Sequence, residues 1–232
     1  MTPGCAVVLP IPASIAANRS AAFSRFGGSA PLAHCLNTII APRRRDRAVQ
    51  TIVAVADSLI TDVQASLAAH GLSAVRVVAA DGDGTRTDCL NAAVAILGDS
   101  TLHVLIHDIH RPLASADVRD RVIHSLRQGN DVVVPALAMV DSVKAVNSVG
   151  AVTRTVDRGV LRSAQFPRGF LTDQLERGLK SAVADFDEID YALRSKIPVT
   201  IVDGDPDAFP LDMPRDARLA DAIVACRRAD RR

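Results

Sequence analysis

The sequence predicts a doubly wound α/β fold: a mostly parallel, Rossmann-like sheet with helices on both faces and a projecting β-hairpin arm. Three observations carry that prediction. Apolar segments of strand length alternate with segments of helix length along most of the 232 residues. The strand segments are continuous runs of Val, Ala, Leu and Ile, the pattern of strands buried on both faces of a parallel sheet. One of them, residues 102–106, ends at His107-Asp108-Ile109-His110-Arg111-Pro112. That places a carboxylate at the carboxyl edge of a strand, where open α/β sheets bind their ligands. An isolated Asp there is also a common helix cap or solvated loop residue, so its meaning depends on the rest of the chain.

The elements follow in order. Residues 5–9 form the first strand. The stretch from Pro10 to Arg19 is a loop that is not helical at its start, because the residue before each of Pro10 and Pro12 is held toward extended backbone. Residues 31–40 read as a helix with Pro31 in its first turn, and 49–56 as a central strand. Asp57 is placed to cap a helix that runs to about His70 and stops at Gly71. After a strand at 74–79, Asp81-Gly82-Asp83-Gly84-Thr85 is a turn, and Thr85 or a neighbour caps a helix over 86–97. Beyond the strand to Ile106 come a helix at 114–128, closed by Gly129, and a strand at 131–135.

The pattern then changes. Between 138 and 160, two short β-prone runs flank Asn147-Ser148-Val149-Gly150 with no helical period, which is a hairpin. A hairpin outside the main sheet has exposed edges, and this one is expected to pair across a homodimer. Helices at 171–183 and 188–193, a strand at 199–202, a helix at 214–226 and a frayed basic tail at 227–232 complete the chain. It reads as one domain over 1–232, with the arm at 138–160 inside it.

Composition narrows the function classes. Aromatics are 3% with no Trp, so the core must be aliphatic. Lys and Arg number 27 against 26 Asp and Glu, so there is no global field for nucleic acid or membrane. The run Arg43-Arg44-Arg45 with Arg47 has no interleaved aromatics and reads as a solvated loop, not a nucleic-acid patch. Cys5, Cys35, Cys89 and Cys226 form no C-x-x-C and suit free thiols in a reducing cytosol. No uncharged apolar run reaches the roughly 18 residues a membrane span needs, and the N-terminus lacks the basic region of a signal peptide. A soluble, cytoplasmic protein is expected. There is no G-x-G-x-x-G, P-loop or G-x-S-x-G. His103 and His107 share a strand face, but a histidine inside an apolar strand reads first as core.

Taken together and in order, several weak motifs make a strong one. They are Ala6-Val7-Val8, Asp81 to Leu90, His107-Asp108 with Arg111-Pro112, Asp141-Ser142-Val143-Lys144, Thr155-Val156-Asp157-Arg158, Asp187-Glu188, and Asp203 to Arg215. In these the chain resembles the 2-C-methyl-D-erythritol 4-phosphate cytidylyltransferases of the non-mevalonate isoprenoid pathway. The family joins a CMP unit from CTP to the phosphate of a small polyol phosphate and releases pyrophosphate. Such chemistry needs positioning, a divalent metal such as Mg²⁺, and cations around the triphosphate.

The resemblance implies roles residue by residue. Asp108 matches the metal-binding carboxylate, with Asp207 where a second carboxylate is expected. Gly82 and Asp83 match the turn that reads the base, Arg86 helps shape that pocket, and Cys89 replaces a serine there. Read alone, Arg86 is a first-turn residue paired with Asp83 or Asp88. Arg111, Ser142 and Arg158 match contacts to the polyol phosphate, the last two from the arm that in the family reaches the neighbouring subunit. Read alone, Arg158 is an ion-pair partner of Asp157 or Asp141, and Lys144 is a solvated arm residue.

The departures fall on the phosphate grip. The family's first loop is glycine-rich and carries an arginine and then a lysine; here residues 10–22 contain no glycine, and Ala21 and Ala22 stand at the lysine. Arg19 is the only cation in that loop and the candidate catalytic replacement. The second family lysine falls near Pro210, and Phe186 stands where a phosphate-holding threonine is expected. One preorganised donor is worth about 3–4 kcal/mol in the transition state. The expectation is therefore a divergent paralogue whose cytidylyltransferase activity is weakened or lost. The alternatives are a non-catalytic dimer that binds a nucleotide or protein partner, and a nucleotidyltransferase for another sugar or polyol phosphate.

Overall fold

The computed structural model describes residues 4–40, 49–182 and 186–229. The Arg43–Arg47 run lies outside them, as do the last residue of the helix expected over 171–183 and residues 230–232 of the basic tail.

The first strand, β1 (Gly4–Ile11), runs two residues further than the sequence predicts, through Pro10. The register explains why a proline is accepted. Val8 O accepts from His107 N–H (2.9 Å), and β1 pairs with its neighbour β4 only as far as Val8 opposite Ile106. Pro10 is two residues on, so its missing donor faces the same side, beyond the ladder's end. A six-residue 3₁₀ helix, Ala13–Asn18, and α1 (Ser20–Phe23) follow.

Then come α2 (Pro31–Ile40), β2 (Gln50–Ala56), α3 (Ile60–Ala69), β3 (Arg76–Ala80), α4 (Arg86–Ala95), β4 (Thr101–Ile106), α5 (Ala116–Arg127) and β5 (Val132–Ala138). Asp57 does not cap α3: a short 3₁₀ turn, Asp57–Leu59, comes first and its start has no side-chain cap. Gly71 does stop α3, at φ +67°.

The hairpin is present as β6 (Val143–Val146) and β7 (Val152–Val156), a two-stranded sheet apart from the main one. Asn147 Oδ1 closes its turn by accepting from Val149 N–H (3.2 Å) and Ala151 N–H (2.9 Å). After it come two strands that the sequence reading omits, β8 (Arg162–Ala164) and β9 (Arg168–Leu171). The chain continues with α6 (Thr172–Ser181), α7 (Glu188–Arg194), β10 (Val199–Asp203) and α8 (Ala217–Ala229). Arg227 and Arg228 are helical, not part of a frayed tail.

The main sheet has the order β10-β5-β9-β4-β1-β2-β3, with β8 paired to β5. It is parallel except for β8 and β9, which are antiparallel to their neighbours. Side chains alternate between two cores. Val7, Leu9 and Ile11 of β1 pack with Leu36, Val63 and Ile123 from α2, α3 and α5. Val8 faces the other way, with Leu90, Leu175 and Ala192 from α4, α6 and α7. Helices on both faces are the doubly wound arrangement the sequence predicts. β9 is wedged under α5 because residue 169 is glycine: a Cβ there would lie 2.6 Å from Val122 Cγ1 and 2.8 Å from Leu126 Cδ1.

Candidate active site

A cleft of about 630 Å³ opens at the carboxyl ends of β1 and β4. One wall is the loop after β1, the other the turn before α4, and the floor is the loop after β4. The two walls are latched together: Ala13 N–H donates to Gly84 O at 2.7 Å. Gly84 can approach because it lacks a Cβ, which would sit 2.7 Å from Ala56 Cβ, and because its φ is +64°. Thr85 then starts α4 with a reciprocal capping box, in which Thr85 Oγ1 accepts from Asp88 N–H (3.1 Å) and Asp88 Oδ2 accepts from Thr85 N–H (2.9 Å).

Arg86 therefore leaves the first turn of α4 aimed across the cleft. It does not pair with Asp83 or Asp88. Its Nη2 is ion-paired with Glu188, and its Nη1 donates to Phe186 O (3.3 Å). Asp83 also lines the cleft, while Gly82, at φ +71°, supports the turn behind it. Cys89 is fully buried under this wall, and burial lifts its thiol to about 11.

On the floor, Asp108 Oδ1 accepts from His110 N–H (3.0 Å), no hydrogen bond to Oδ2 is seen among the described residues, and the carboxylate's charge is felt by Arg111 and His107. His107 is buried beside it, and both ring nitrogens lack a hydrogen-bond partner. Burial lowers its pKa to about 4, against the smaller opposing pull of Asp108, so the imidazole is neutral at physiological pH. Arg86 is thus the only Lys or Arg among the described residues that line the cleft. His103 is in the core as expected, though its Nδ1 has no partner.

A divalent cation can be tested against this floor. Mg²⁺ keeps several waters and needs one or two protein carboxylates, the rest coming from substrate phosphates. Asp108, at a cleft edge with one oxygen uncommitted, fits that requirement. Asp207 is not brought to it. Its Oδ2 accepts from Arg227 Nε (3.0 Å) and Nη2 (2.6 Å), and it lines a separate cavity of about 820 Å³ with Arg227 and Arg228.

Arg19 is also outside the cleft. It is ion-paired with Asp62 and lines a hollow over α3. Arg111, half-buried next to the floor, donates from Nη1 to Ala208 O. Ser142 and Arg158 flank the arm's root, each on its own strand's side of the Val143–Val156 pair. Arg158 pairs with neither Asp157 nor Asp141: its Nη1 donates to Val140 O. Lys144 Nζ donates to Thr155 Oγ1 at 2.8 Å.

Two features escape a reading by motif. Glu188, 1% exposed, is shared by Arg86 and by Arg168 of β9, whose Nη1 lies 3.1 Å from Glu188 Oε2. Phe166 has the Arg168 guanidinium 4.2 Å from its ring centre and that of Arg111 at 5.7 Å. The one signal for these was the Asp187-Glu188 pair, which names the acid and not its partners.

The comparisons agree with this architecture. The profile of the 2-C-methyl-D-erythritol 4-phosphate cytidylyltransferase family matches residues 12–226. The chain is 34% identical over 209 residues to the enzyme of that name from Rhodococcus jostii, covering 89% of this chain and 88% of that one. It is 40% identical over 155 residues to the one from Nocardia farcinica, covering 67% of this chain and 66% of that one. Among solved structures, the 4-diphosphocytidyl-2C-methyl-D-erythritol synthase of Anaerococcus prevotii superposes with a TM-score of 0.78 at 20% identity, over 96% of each chain. The Thermus thermophilus cytidylyltransferase does so at 0.71 and 22%, over 96% of this chain and 99% of that one. With the profile spanning nearly the whole fold and the Rhodococcus relative matched almost end to end, this chain belongs to the 2-C-methyl-D-erythritol 4-phosphate cytidylyltransferase family.

Proposed function

We propose that the chain transfers a cytidylyl group from CTP to 2-C-methyl-D-erythritol 4-phosphate, more slowly than a family member with lysines around the triphosphate. The observation that carries this reading is the cleft that joins Asp83, Arg86 and Asp108 in a member of this family. An oxygen of the polyol phosphate attacks the α-phosphorus of CTP, a new P–O bond forms, and the bond to the β-phosphate breaks to release pyrophosphate. The turn at Asp83 and Gly84 and the guanidinium of Arg86 form the wall that receives the nucleotide. Arg111 stands beside the floor for the acceptor phosphate. Asp108 would hold Mg²⁺, which supplies charge neutralisation to the phosphates when bound. The reduced rate follows from the loop: it contributes two prolines and no glycine, and its one cation, Arg19, is engaged with Asp62.

Pyrophosphate release from CTP, Mg²⁺ and methylerythritol phosphate tests the reading. The expected result is release that requires both substrates, at less than about one turnover per second, the low end for enzymes. No release above background would overturn it in favour of a nucleotide-binding homologue without turnover, which the lysine-free cleft also accommodates.

The same reading includes a cytoplasmic homodimer formed through the arm. Cys35, Cys89 and Cys226 form no disulfide, and no helix among the described residues is long and apolar enough to cross a membrane. The arm exposes Val146, Val152 and, at 84%, Val149, a set of aliphatic groups that a second copy would cover. Deleting residues 142–156 should give a monomer in sizing chromatography, and a dimer that survives the deletion would refute the arm as the interface.

A further inference from the structure

Arg168 reaches the active edge of the sheet by an unusual route. β9 is antiparallel to β4, so its first residue, Arg168, pairs with Ile106, the last residue of β4 and two before Asp108. A side chain of β9 is thereby delivered to the edge where the parallel strands end. The guanidinium is 13% exposed, and its partner Glu188 is more buried still. That single carboxylate is shared with Arg86, and the next acid, Asp187, is 3.9 Å from Arg168 and largely solvated. One carboxylate between two guanidiniums leaves positive charge uncompensated in a confined space, which costs free energy unless an anion arrives.

The donors point to the same deficit. Nε of Arg168 and Nε of Arg111 are both buried without a hydrogen-bond partner. Such groups are rare in finished structures, and each needs an explanation. Both guanidiniums lie over one ring, Phe166, at 4.2 Å for Arg168 and 5.7 Å for Arg111, which brings the two cations to the same place although Arg168 also pairs with Glu188. Two guanidiniums on one ring, each with a buried N–H that has no partner, are suited to a phosphate monoester, which accepts forked hydrogen bonds.

We propose that Arg168, held by Glu188 and Phe166, acts with Arg111 as the clamp for the phosphate of the acceptor substrate. Neither residue is among those that line the cleft, so the acceptor phosphate would sit beside it, and the cation from β9 serves the acceptor and not the triphosphate. The inference rests on the cytidylyltransferase reading and adds a substrate-binding residue to it. It predicts a selective effect: the acceptor phosphate loses its grip, while the nucleotide keeps Arg86 and Asp108.

The test is calorimetric titration of methylerythritol phosphate and, separately, of a non-hydrolysable CTP analogue with Mg²⁺, the acceptor being titrated into protein already holding the analogue. Arg168→Met should weaken the acceptor by about 10- to 100-fold, as expected for charge-assisted hydrogen bonds, and change analogue binding by less than about threefold. Equal affinities in the wild type and the variant would overturn the inference alone, as would parallel weakening of both ligands. A wild type that binds neither ligand would overturn the proposed function and this inference with it. If Arg168→Met does not fold, Arg168→Lys keeps the charge opposite Glu188 and removes the fork. About tenfold weakening confined to the acceptor then supports the clamp, and unchanged affinity overturns it.

Discussion

Glu188→Gln should destabilise the protein by about 3–5 kcal/mol, a large part of a typical domain's stability. The carboxylate is 1% exposed and faces Arg168 and Arg86. Removing its charge leaves two guanidiniums without their shared counter-ion, one of them nearly buried. Breaking a buried pair from one side is costly because the remaining charge stays desolvated. Arg86 is 31% exposed and can turn to water, so most of the cost falls on Arg168. Urea denaturation read by circular dichroism measures it. A loss below about 0.5 kcal/mol, the level of an ordinary surface change, would show that the network is not a structural anchor.

Asp108→Asn should do the reverse, sparing the fold and removing activity. The amide oxygen can still accept from His110 N–H, the one hydrogen bond the carboxylate makes. Stability should therefore stay within about 0.5 kcal/mol. The amide cannot neutralise a divalent cation, and activity should fall by about a thousandfold or more, near 4 kcal/mol of transition-state stabilisation. Pyrophosphate release measured alongside the melting curve separates the two effects. Turnover within tenfold of the parent would remove Asp108 from the chemistry.

These two carboxylates show what the sequence makes legible. Asp108 is readable because a local pattern, an apolar strand ending in an acid, maps directly onto the sheet edge. Thr85 and Asp88 are readable for the same reason, since a capping box is written within four residues. Glu188 lies 102 positions from Arg86, and no local pattern encodes that pairing. Arg19 and Asp207 mark the limit of reasoning from linear order. Each occupies a suitable place in the chain, and each is neutralised by a residue from another element, Asp62 or Arg227. β9 was missed because only four residues pair, and one is a glycine selected by the helix above it, not by strand propensity. Pro10 ended the predicted strand early because its acceptability depends on where β4 stops.

The latch between Ala13 and Gly84 bears on timing. A rim stiffened by Pro10 and Pro12 and tied to the opposite wall has little slack to fold over an occupant. Residence is then expected to depend on adhesion to the floor and walls, so that a nucleotide's dissociation rate should change little with solvent viscosity, which would slow a moving cover.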